Sequence, residues 1–248
     1  MKLPPSLLTF AYCVTLSSAM LSASASAEEQ SLFNGKDLSG WEGNTALWSV
    51  KDGVIHGETT VDPENAKKST LRHNTFLVWT GGKVGDFELH AKFRMPSDWG
   101  NSGIQYRSEV KSAGSDGPIV GGYQADMETG KTYSGILYEE KGRGILAKRG
   151  EQTVIKANPN DPGKHVVEVT GSVGVSQEIQ DAIHIAEWND YVIIAKGNHL
   201  EHFINGKKTV DVTDQDEKGA KEGVLALQMH AGAPMIVEFK DITLKSLK

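Results

Sequence analysis

The stretch Phe87-Glu-Leu-His-Ala-Lys-Phe-Arg94 alternates apolar with polar or charged residues over its whole length. Side chains two apart on a β-strand share a face. The four apolar residues therefore predict a buried face, and the four polar residues predict a face in water. Such half-buried strands are typical of antiparallel sheets, so this stretch indicates an all-β fold.

Tight turns and frequent glycines extend this interpretation to the rest of the chain. Asp52-Gly53 and Asn205-Gly206 each separate two strand-like runs, and both dipeptides favour the hairpin turns that match strand twist. The segment from Ser176 to Ile185 resembles a helix, because Ile179 and Ile183 are four residues apart. We predict a sandwich of two antiparallel sheets with at most one short helix, formed by a single domain at 28–248.

The first 27 residues have the features of a signal peptide. Lys2 gives a positive start, and the apolar run from Leu7 to Leu21 is short and rich in serine for a membrane span. Ala25-Ser26-Ala27 fits a cleavage site for a leader peptidase. We therefore expect an exported protein, periplasmic or secreted, whose mature chain has no membrane span. A retained membrane anchor is the alternative.

Cysteine and charge narrow the class of protein further. Cys13 is the only cysteine, so the mature chain has none and must be held by its core. About 220 residues suffice, since a domain of that size buries roughly 70% of its unfolded surface. Without Lys2 the net charge of −6 becomes −7, which argues against a nucleic-acid partner.

Polar residues alternate along three further strand-like stretches, where a simple core strand would be apolar. These stretches are Asn101-Ser-Gly-Ile-Gln-Tyr-Arg107, Gly122-Tyr-Gln-Ala-Asp126 and Leu227-Gln-Met-His230. If the three strands lie in one sheet, their polar side chains converge on one surface suited to a hydroxyl-rich ligand. The residues concerned are Gln105, Arg107, Gln124, Asp126, Gln228 and His230. A solvated outer face is the alternative.

Each of these residue types has a chemistry that suits a sugar. Arg107 offers a planar fork of donors for oxygen ligands. His230 can take a proton near neutral pH, and Asp126 can serve as a base or a metal ligand. The three glutamines both donate and accept hydrogen bonds, as sugar hydroxyls do.

A glycine-broken segment, Tyr133 to Gly144, adds further candidates. Glu139 and Arg143 are candidate substrate contacts there, although Glu139 and Glu140 taken alone read as a surface pair. Adjacent residues on a strand point in opposite directions, whereas a retaining glycosidase needs two carboxyl groups roughly 5 Å apart. Trp79 and Trp99 are candidates for stacking on a sugar ring because they flank loops.

A divalent cation is a possible cofactor, but no ligand set stands out. The acidic run Asp211 to Glu217 offers oxygens for calcium, yet it lacks the EF-hand spacing and is interpreted as a solvated turn. The histidines form no helical pair of the zinc type.

Several segments together resemble the 3-keto-disaccharide hydrolase family, which is common in exported bacterial proteins. They are Phe33-Asn-Gly-Lys-Asp-Leu-Ser-Gly-Trp41, Trp48-Ser-Val-Lys-Asp-Gly-Val-Ile-His56, Gly85-Asp-Phe-Glu-Leu89, Asn101-Ser-Gly-Ile104, Arg107, Trp188-Asn189, His199 with Asn205-Gly206, and Leu227-Gln228 with His230. The resemblance implies a concanavalin A-like jelly roll and action on glycosides already oxidised to a ketone at C3.

The resemblance also implies a mechanism. A ketone at C3 acidifies the C2 proton, so a base can remove it, the C1 substituent leaves, and water adds back. The implied roles are His230 or Asp126 as base, Arg107 or a divalent cation on the C3 oxygen, and Gln105, Gln124 and Gln228 on hydroxyls. Many relatives carry Glu where this chain has Gln124, and Gln at the Asp126 position. Many also carry Asp where it has Met229. The Gly174 to Ile185 segment is an insertion.

Two alternatives share this fold: a non-catalytic, lectin-like glycan-binding module and a plain glycoside hydrolase. An enzyme needs His230 and an acid within reach of one sugar ring, whereas a lectin needs only amides and an aromatic platform. A plain glycosidase needs two opposed carboxylates in the cleft.

Overall fold

The computed structural model describes Met1 and residues 29–247, so the predicted signal peptide at 1–27 lies outside the described residues except for Met1. Strands dominate this part of the chain. In chain order they are β1 Glu29–Ser31, β2 Trp41–Glu42, β3 Trp48–Lys51, β4 Val54–Glu58, β5 Val61–Asp62, β6 Asn65–Ser69, β7 Thr75–Trp79, β8 Phe87–Arg94, β9 Asn101–Ser112, β10 Ile119–Glu128, β11 Leu137–Glu140, β12 Gly144–Ala147, β13 Glu151–Ala157, β14 His165–Ser172, β15 Asn189–Lys196, β16 His199–Ile204, β17 Lys207–Asp214, β18 Val224–Met229 and β19 Ile236–Ser246. Within these described residues there is one helix, α1, which spans Ser176–Asp181.

The strands form two principal sheets. The large sheet has the order β14-β13-β17-β16-β15-β8-β19-β4-β3, with β1 added beside β19. The small sheet has the order β12-β11-β10-β9-β18-β7-β2, and β5 and β6 form a separate hairpin. Neighbouring strands in these sheets run antiparallel, apart from the parallel pair β13 and β17. The predicted all-β jelly-roll sandwich is confirmed.

The predicted strand and turns are present. Strand β8 occupies Phe87–Arg94 and buries every second residue. Asp52 and Gly53 both have positive φ in the turn between β3 and β4, and Asn205 and Gly206 do the same between β16 and β17. Positive φ at both central positions defines the turn type that matches strand twist, which is why these dipeptides close the hairpins.

The core lies between the inward faces of the two sheets. Phe87 and Phe93 of β8 face inward from the large sheet, and Tyr106 of β9 and Tyr123 of β10 belong to the same buried cluster. Polar contacts also join the sheets: the Tyr106 hydroxyl lies 2.9 Å from Nε2 of the buried His202 in β16, and the Tyr191 hydroxyl of β15 donates to the Asp126 carbonyl of β10 at 3.3 Å.

The outer face of the small sheet positions the candidate site. Strands β10, β9 and β18 are neighbours there, as the sequence predicted. A second apolar cluster of Phe76, Val78, Val120 and Ala226 covers one part of this face. Polar side chains of β10, β11 and β18 occupy another part, and they are described below.

Helix α1 falls inside the segment predicted to be helical. Its one buried residue is Ile179, which anchors it to the sandwich. Spanning a bilayer takes about 20 apolar residues in helical conformation. None of the helix content described for this chain reaches that length and apolarity.

Candidate functional site

A cavity of about 350 Å³ lies on the outer face of the small sheet. Strands β9, β10, β11 and β12, the loop between β10 and β11, and the residues just before β7 and just after β18 form its wall. Its lining residues are Asn74, Asn101, Gln124, Asp126, Tyr133, Ile136, Tyr138, Glu140, Ile145 and His230. The volume lies at the small end of the usual range for ligand sites, which suits one sugar ring.

Asp126 and Gln124 reach the cavity together, as strand alternation predicted. They are two apart on β10, and the Gln124 side-chain amide donates a hydrogen bond to Oδ1 of Asp126. Asp126 is only 5% exposed. Burial raises its pKa well above the usual range, and Glu140 and Glu128 add to the rise. Since a raised pKa favours the protonated form, this carboxyl group is a better acid than base.

The other two glutamines lie beneath the cavity and do not line it. Gln105 and Gln228 are both 0% exposed. Each donates a hydrogen bond from Nε2 to Oε1 of Gln124, at 2.6 Å from Gln105 and 2.9 Å from Gln228. The predicted direct contact of Gln105 and Gln228 with substrate is therefore wrong in this geometry, because Gln124 covers them.

Gly103 makes this amide cluster possible. It lies opposite Asp126 in the β9–β10 register. A Cβ atom at this position would lie 2.5 Å from Cγ of Gln124, too close for a real contact. The glycine lets the Gln124 side chain lie flat across β9 toward Gln228.

His230 follows the last residue of β18 and presents one ring nitrogen to the cavity. Its Nδ1–H donates a hydrogen bond to the carbonyl of Ala231 at 2.6 Å. The Ala231 N–H in turn donates to Oδ1 of Asn74 at 3.0 Å. With its proton on Nδ1, the neutral ring carries a lone pair on Nε2, so His230 can act as a base.

Glu140 is the site residue that sequence reasoning missed. It is two residues from Tyr138 on β11, and both side chains line the cavity. Burial raises the pKa of Glu140, while Lys141, His230 and the Asn74 side chain lower it. Alternation along the strand could have separated Glu140 from Glu139, but it does not say which of the two faces outward.

Glu139 and Arg143 were predicted to contact substrate, but the structure places them elsewhere. Glu139 faces the opposite way from Glu140 and accepts a 2.7 Å hydrogen bond from Nε of Arg143. The same guanidinium bonds Asp214 at 2.6 Å, and the Tyr123 hydroxyl also donates to that carboxylate. This buried cluster ties β11 to β17 across the end of the sandwich, so its charges are already paired.

Arg107 was predicted to lie beside Asp126 and His230, and this placement is wrong. It has a positive φ of 46° at a register shift between β9 and β10, which breaks the strand alternation. Arg107 is 2% exposed. The guanidinium donates to the carbonyls of Gly85 and Gly197, both at 2.7 Å, and to Oδ1 of Asp86 at 2.8 Å. These acceptors satisfy the hydrogen-bonding groups of the guanidinium, and they do not line the cavity.

The two tryptophans proposed for stacking have different positions. Trp79 is buried in the core, so it cannot meet a sugar ring. Trp99 is 37% exposed, and its ring centre lies 6.2 Å from that of His230 with an edge-on angle of 68°. The glycine at 232 leaves room for it, since a Cβ there would lie 2.6 Å from the indole. Trp99 can therefore form an aromatic platform at the rim.

The segment that contains α1 reaches the same region. Ser176 at the start of α1 lines a hollow of about 430 Å³ that shares Tyr133, Ile136 and Ile145 with the cavity. This segment thus extends one rim of the site.

The carboxylates best placed to bind a divalent cation already form ion pairs with a lysine. Among the residues that the structure describes, one group of three can bring ligand atoms within 4.8 Å of one another, namely His199, Glu201 and Asp211. Lys208 lies 2.5 Å from the Glu201 carboxylate and 2.8 Å from that of Asp211, so an ammonium fills this place. Asp211 and Asp214 are buried in β17, which corrects their interpretation as part of a solvated turn.

The cavity combines a base and two acids in one small space. His230 offers a free ring nitrogen, and Asp126 and Glu140 have raised pKa values. An imidazole with a nearby acid was the feature that separates an enzyme from a lectin on this fold. The arrangement can move a proton from one side of a bound ring to the other.

Comparisons with solved structures agree on the fold. Two candidate glycosyl hydrolases from Parabacteroides distasonis are 22% and 20% identical to this chain, with TM-scores of 0.51 and 0.52. Each alignment covers 89% of this chain and 94% or 100% of the other. The laminarinase catalytic domain of Thermotoga maritima is 10% identical over 90% of this chain and 98% of its own, with a TM-score of 0.52. At these identities the likeness shows the fold alone.

No curated protein matches the chain. A family described as the 3-keto-alpha-glucoside-1,2-lyase-like domain matches residues 28–245. The protein is thus a carbohydrate-active, hydrolase-like module, and this chain belongs to the 3-keto-alpha-glucoside-1,2-lyase-like family.

Proposed function

We propose that the protein cleaves glycosides whose sugar carries a ketone at C3, by elimination followed by hydration. The observation that carries this proposal is the placement of His230, Asp126 and Glu140 around one cavity of about 350 Å³. The family membership supports the keto-sugar substrate. The predicted leader at 1–27 supports action outside the cytoplasm, in the periplasm or as a secreted protein.

His230 is the base in this proposal. Its Nε2 takes the C2 proton, and the electron pair of that C–H bond forms an enolate with the C3 ketone. Collapse of the enolate makes the C1–C2 double bond and breaks the bond from C1 to the leaving oxygen. Asp126 is the weaker candidate for this role because burial favours its protonated form. We therefore propose His230, and not Asp126, as the base.

Glu140 is the acid that protonates the leaving oxygen. Its raised pKa keeps a proton available at higher pH than an ordinary glutamate would. Water then adds across the double bond, with hydroxyl at C1 and a proton at C2. The net reaction is hydrolysis, and atoms and charges balance without an added oxidant or reductant.

Neutral donors in the cavity wall stabilise the C3 oxyanion, in place of Arg107. Asn74, Asn101 and Tyr138 all line the cavity and carry N–H or O–H groups. Donors fixed before the reaction stabilise developing charge most effectively. Gln124 is held by Gln105 and Gln228 and meets the sugar hydroxyls.

The deciding experiment offers the purified protein a 3-keto glucoside and its unoxidised parent, in D₂O and with or without a chelator. Elimination and hydration place one deuterium at C2 of the released keto sugar, whereas direct displacement leaves the C2 hydrogen in place. A sample of the free keto sugar without protein corrects for spontaneous exchange. We expect cleavage of the keto form alone, with deuterium at C2.

Two variants test the residues. His230→Gln and Glu140→Gln should each lower turnover of the keto glucoside by roughly 10²–10⁴-fold, the usual contribution of a general acid or base. His90→Gln and Glu168→Gln are matched controls, since both residues are exposed on the large sheet or its edge. Near-normal rates in both test variants would contradict the assigned roles.

Other outcomes point to the two alternatives. Cleavage of both glucosides without deuterium at C2 would identify a plain glycosidase, which the two carboxyl groups in one cavity make worth testing. Binding of both glucosides without cleavage would identify a lectin-like module. Loss of activity with a chelator and its recovery with a divalent cation would add a metal to the mechanism.

A further inference from the structure

Asn74 lines the cavity, but it belongs to a segment that forms no strand or helix of its own. Residues 71–74 lead into β7, which begins at Thr75. The Asn74 side chain accepts a hydrogen bond from the Ala231 N–H, and it lowers the pKa of Glu140 by hydrogen bonding. Contacts from other parts of the chain must therefore hold this amide in place.

The turn between β9 and β10, at residues 113–118, supplies these contacts. Oδ2 of Asp116 accepts a hydrogen bond from the Arg72 N–H at 2.9 Å. The backbone carbonyl of Asp116 accepts another from Oγ1 of Thr75, also at 2.9 Å. Asp116 is thus bonded to the chain on both sides of Asn74.

His73 links the same turn directly to Asn74. Its Nδ1 lies 2.9 Å from the Asn74 carbonyl, which can only accept, so this nitrogen carries the proton. Nε2 of a neutral ring is then an acceptor. It lies 3.4 Å from the backbone nitrogen of Asp116, whose N–H donates to it. Arg72, His73 and Thr75 are therefore all bonded to Asp116.

Two glycines allow the turn to pack this closely. A Cβ atom at Gly114 would lie 2.7 Å from Cε1 of His73, and a Cβ atom at Gly117 would lie 2.5 Å from Oγ1 of Thr75. Both distances are too short for a real contact. The turn is therefore shaped for its contact with the segment that carries Asn74.

We propose that Asp116 is a positioning residue: by holding residues 72–75 it fixes the Asn74 amide, and through this amide it orients His230 and Glu140. This inference rests on the proposed function. Asp116 does not line the cavity, so its effect on the reaction must pass through Asn74. A backbone N–H that donates to a carboxylate makes a stronger bond than one between neutral groups, which suits a fixed support.

The test is a double-mutant cycle with a 3-keto glucoside as substrate. We expect Asp116→Ala to lower kcat/KM per folded molecule by about 5- to 30-fold, since small displacements of reacting groups are costly. Asp116→Asn keeps an oxygen acceptor for the Arg72 N–H and should stay within about threefold of the parent. If Asp116 acts through Asn74, adding Asp116→Ala to Asn74→Ala should cost less than about twofold more.

Two further variants complete the cycle. Asp62→Ala is the matched control, because Oδ1 of Asp62 accepts from the Glu64 N–H at 2.8 Å in the hairpin of β5 and β6; it should leave kcat/KM unchanged. Thr75→Val serves if Asp116→Ala does not fold, since it removes only the hydroxyl bond to the turn. Its effect should be about 2- to 5-fold and should likewise vanish in the Asn74→Ala background.

The pH–rate profile separates positioning from a purely structural role. Loosening Asn74 weakens a bond that lowers the pKa of Glu140, so the limb that reports Glu140 should move to higher pH in Asp116→Ala. Loss of the Asp116 charge by itself would move this limb the other way. The nearby titratable groups are unchanged in this variant, namely Lys141, His230 and Asp126. A structural role alone would lower Tm and leave the limb in place.

Nitrogen NMR of the His230 ring gives a readout that does not depend on turnover, with His230→Gln to identify the signals. The ring proton should lie on Nδ1 in the parent and move in part to Nε2 in Asp116→Ala. Equal losses of kcat/KM from Asp116→Ala with and without Asn74, or unchanged ring signals, would each overturn the positioning proposal, while cleavage by the parent leaves the proposed function standing. If the parent cleaves no 3-keto glucoside, the ring signals alone decide.

Discussion

His230 takes its orientation from a short chain of hydrogen bonds that begins at Asn74. The Asn74 side chain accepts from the Ala231 N–H, and the Ala231 carbonyl accepts from Nδ1 of His230. Asn74 also lowers the pKa of Glu140. One amide thus fixes the proposed base and adjusts the proposed acid.

Replacing this amide should disturb catalysis in three ways, because Asn74 orients His230, adjusts Glu140 and is one of the proposed donors to the C3 oxygen. We expect Asn74→Ala to lower kcat/KM on a 3-keto glucoside by between about 10-fold and about 100-fold, since small misplacements of a base are costly. The limb of the pH–rate profile that reports Glu140 should also move to higher pH. Asn160→Ala, an exposed loop control, should change neither. An unchanged profile in Asn74→Ala would show that this chain of bonds is not needed.

The buried carboxyl group of Asp126 should lower the stability of the folded protein near neutral pH. Its pKa is raised in the folded state, so the folded protein binds a proton that the unfolded chain has released. Stability from this group is therefore present at acid pH and is lost as pH rises above about 3.9 toward the raised value. We expect Asp126→Asn to raise the free energy of unfolding at pH 7.5 by about 1–2 kcal/mol.

Thermal unfolding at two pH values measures this effect. The gain should appear as a rise in Tm of about 2–8 °C at pH 7.5 and should shrink at about pH 4. Asp190→Asn, at an exposed position paired with Lys92, should give no such gain. A variant less stable than the parent at both pH values would mean that the carboxyl group is a net stabiliser.

Alternation along single strands predicted part of the site and no more. It placed Gln124 with Asp126 on one face, because their spacing on β10 is undisturbed. It could not choose between Glu139 and Glu140, since both faces of a short strand carry polar residues here. The difference depends on Arg143, which binds both Glu139 and Asp214 at the end of the sandwich. Asp214 belongs to the distant strand β17, so alternation along β11 cannot reveal this contact.

At the scale of elements, the irregular pairing of β9 with β10 decides where Arg107 goes. The register shifts between Gly121 and Tyr123, and Gly122 has a φ of 144°. A Cβ at Gly122 would lie 2.7 Å from the Cα of Ser108, so glycine is required for this close approach. The Gly-Gly pair signals a bulge in the sequence. It does not reveal which residue of the partner strand points its side chain to the other face.

Arg107 consequently holds two loops together through hydrogen bonds. Its replacement should therefore affect stability more than catalysis. The guanidinium joins the loop before β8 to the turn after β15 through Gly85, Asp86 and Gly197. A lysine cannot reproduce this fork of donors. We expect Arg107→Lys to lower the free energy of unfolding by about 3 kcal/mol, and Tm by about 6–12 °C.

The comparison with His230→Gln makes this result decisive. Arg107→Lys should lose far less kcat/KM per folded molecule than His230→Gln, while His230→Gln should keep a near-normal Tm. Arg72→Lys at an exposed position is the control for the arginine change. An activity loss in Arg107→Lys as deep as that of His230→Gln would return Arg107 to the catalytic site.

At the scale of the whole molecule, the two sheets meet across a core that contains a histidine. His202 faces inward from β16, is fully buried, and contacts the rings of Tyr106 and Tyr191. The sequence predicted the sandwich from local alternation and hairpins, which depend on neighbouring residues. It did not predict the parallel pair of β13 with β17 or this polar contact, because both depend on residues far apart in the chain.

This buried histidine should make the sandwich sensitive to acid. Burial lowers the pKa of His202 from about 6.5 to about 3, so the unfolded chain binds a proton between these values that the folded protein does not. Stability is therefore complete above about pH 6.5 and falls as pH decreases, by at most about 1.4 kcal/mol per pH unit.

His202→Gln keeps an acceptor for the Tyr106 hydroxyl but does not titrate. We expect this variant to be less stable at pH 7 and to lose less on going to pH 4, measured by urea unfolding. His90→Gln, which removes an exposed histidine on the large sheet, should keep the slope of the parent. Parallel pH profiles for the parent and His202→Gln would show that the core histidine does not link the sandwich to pH.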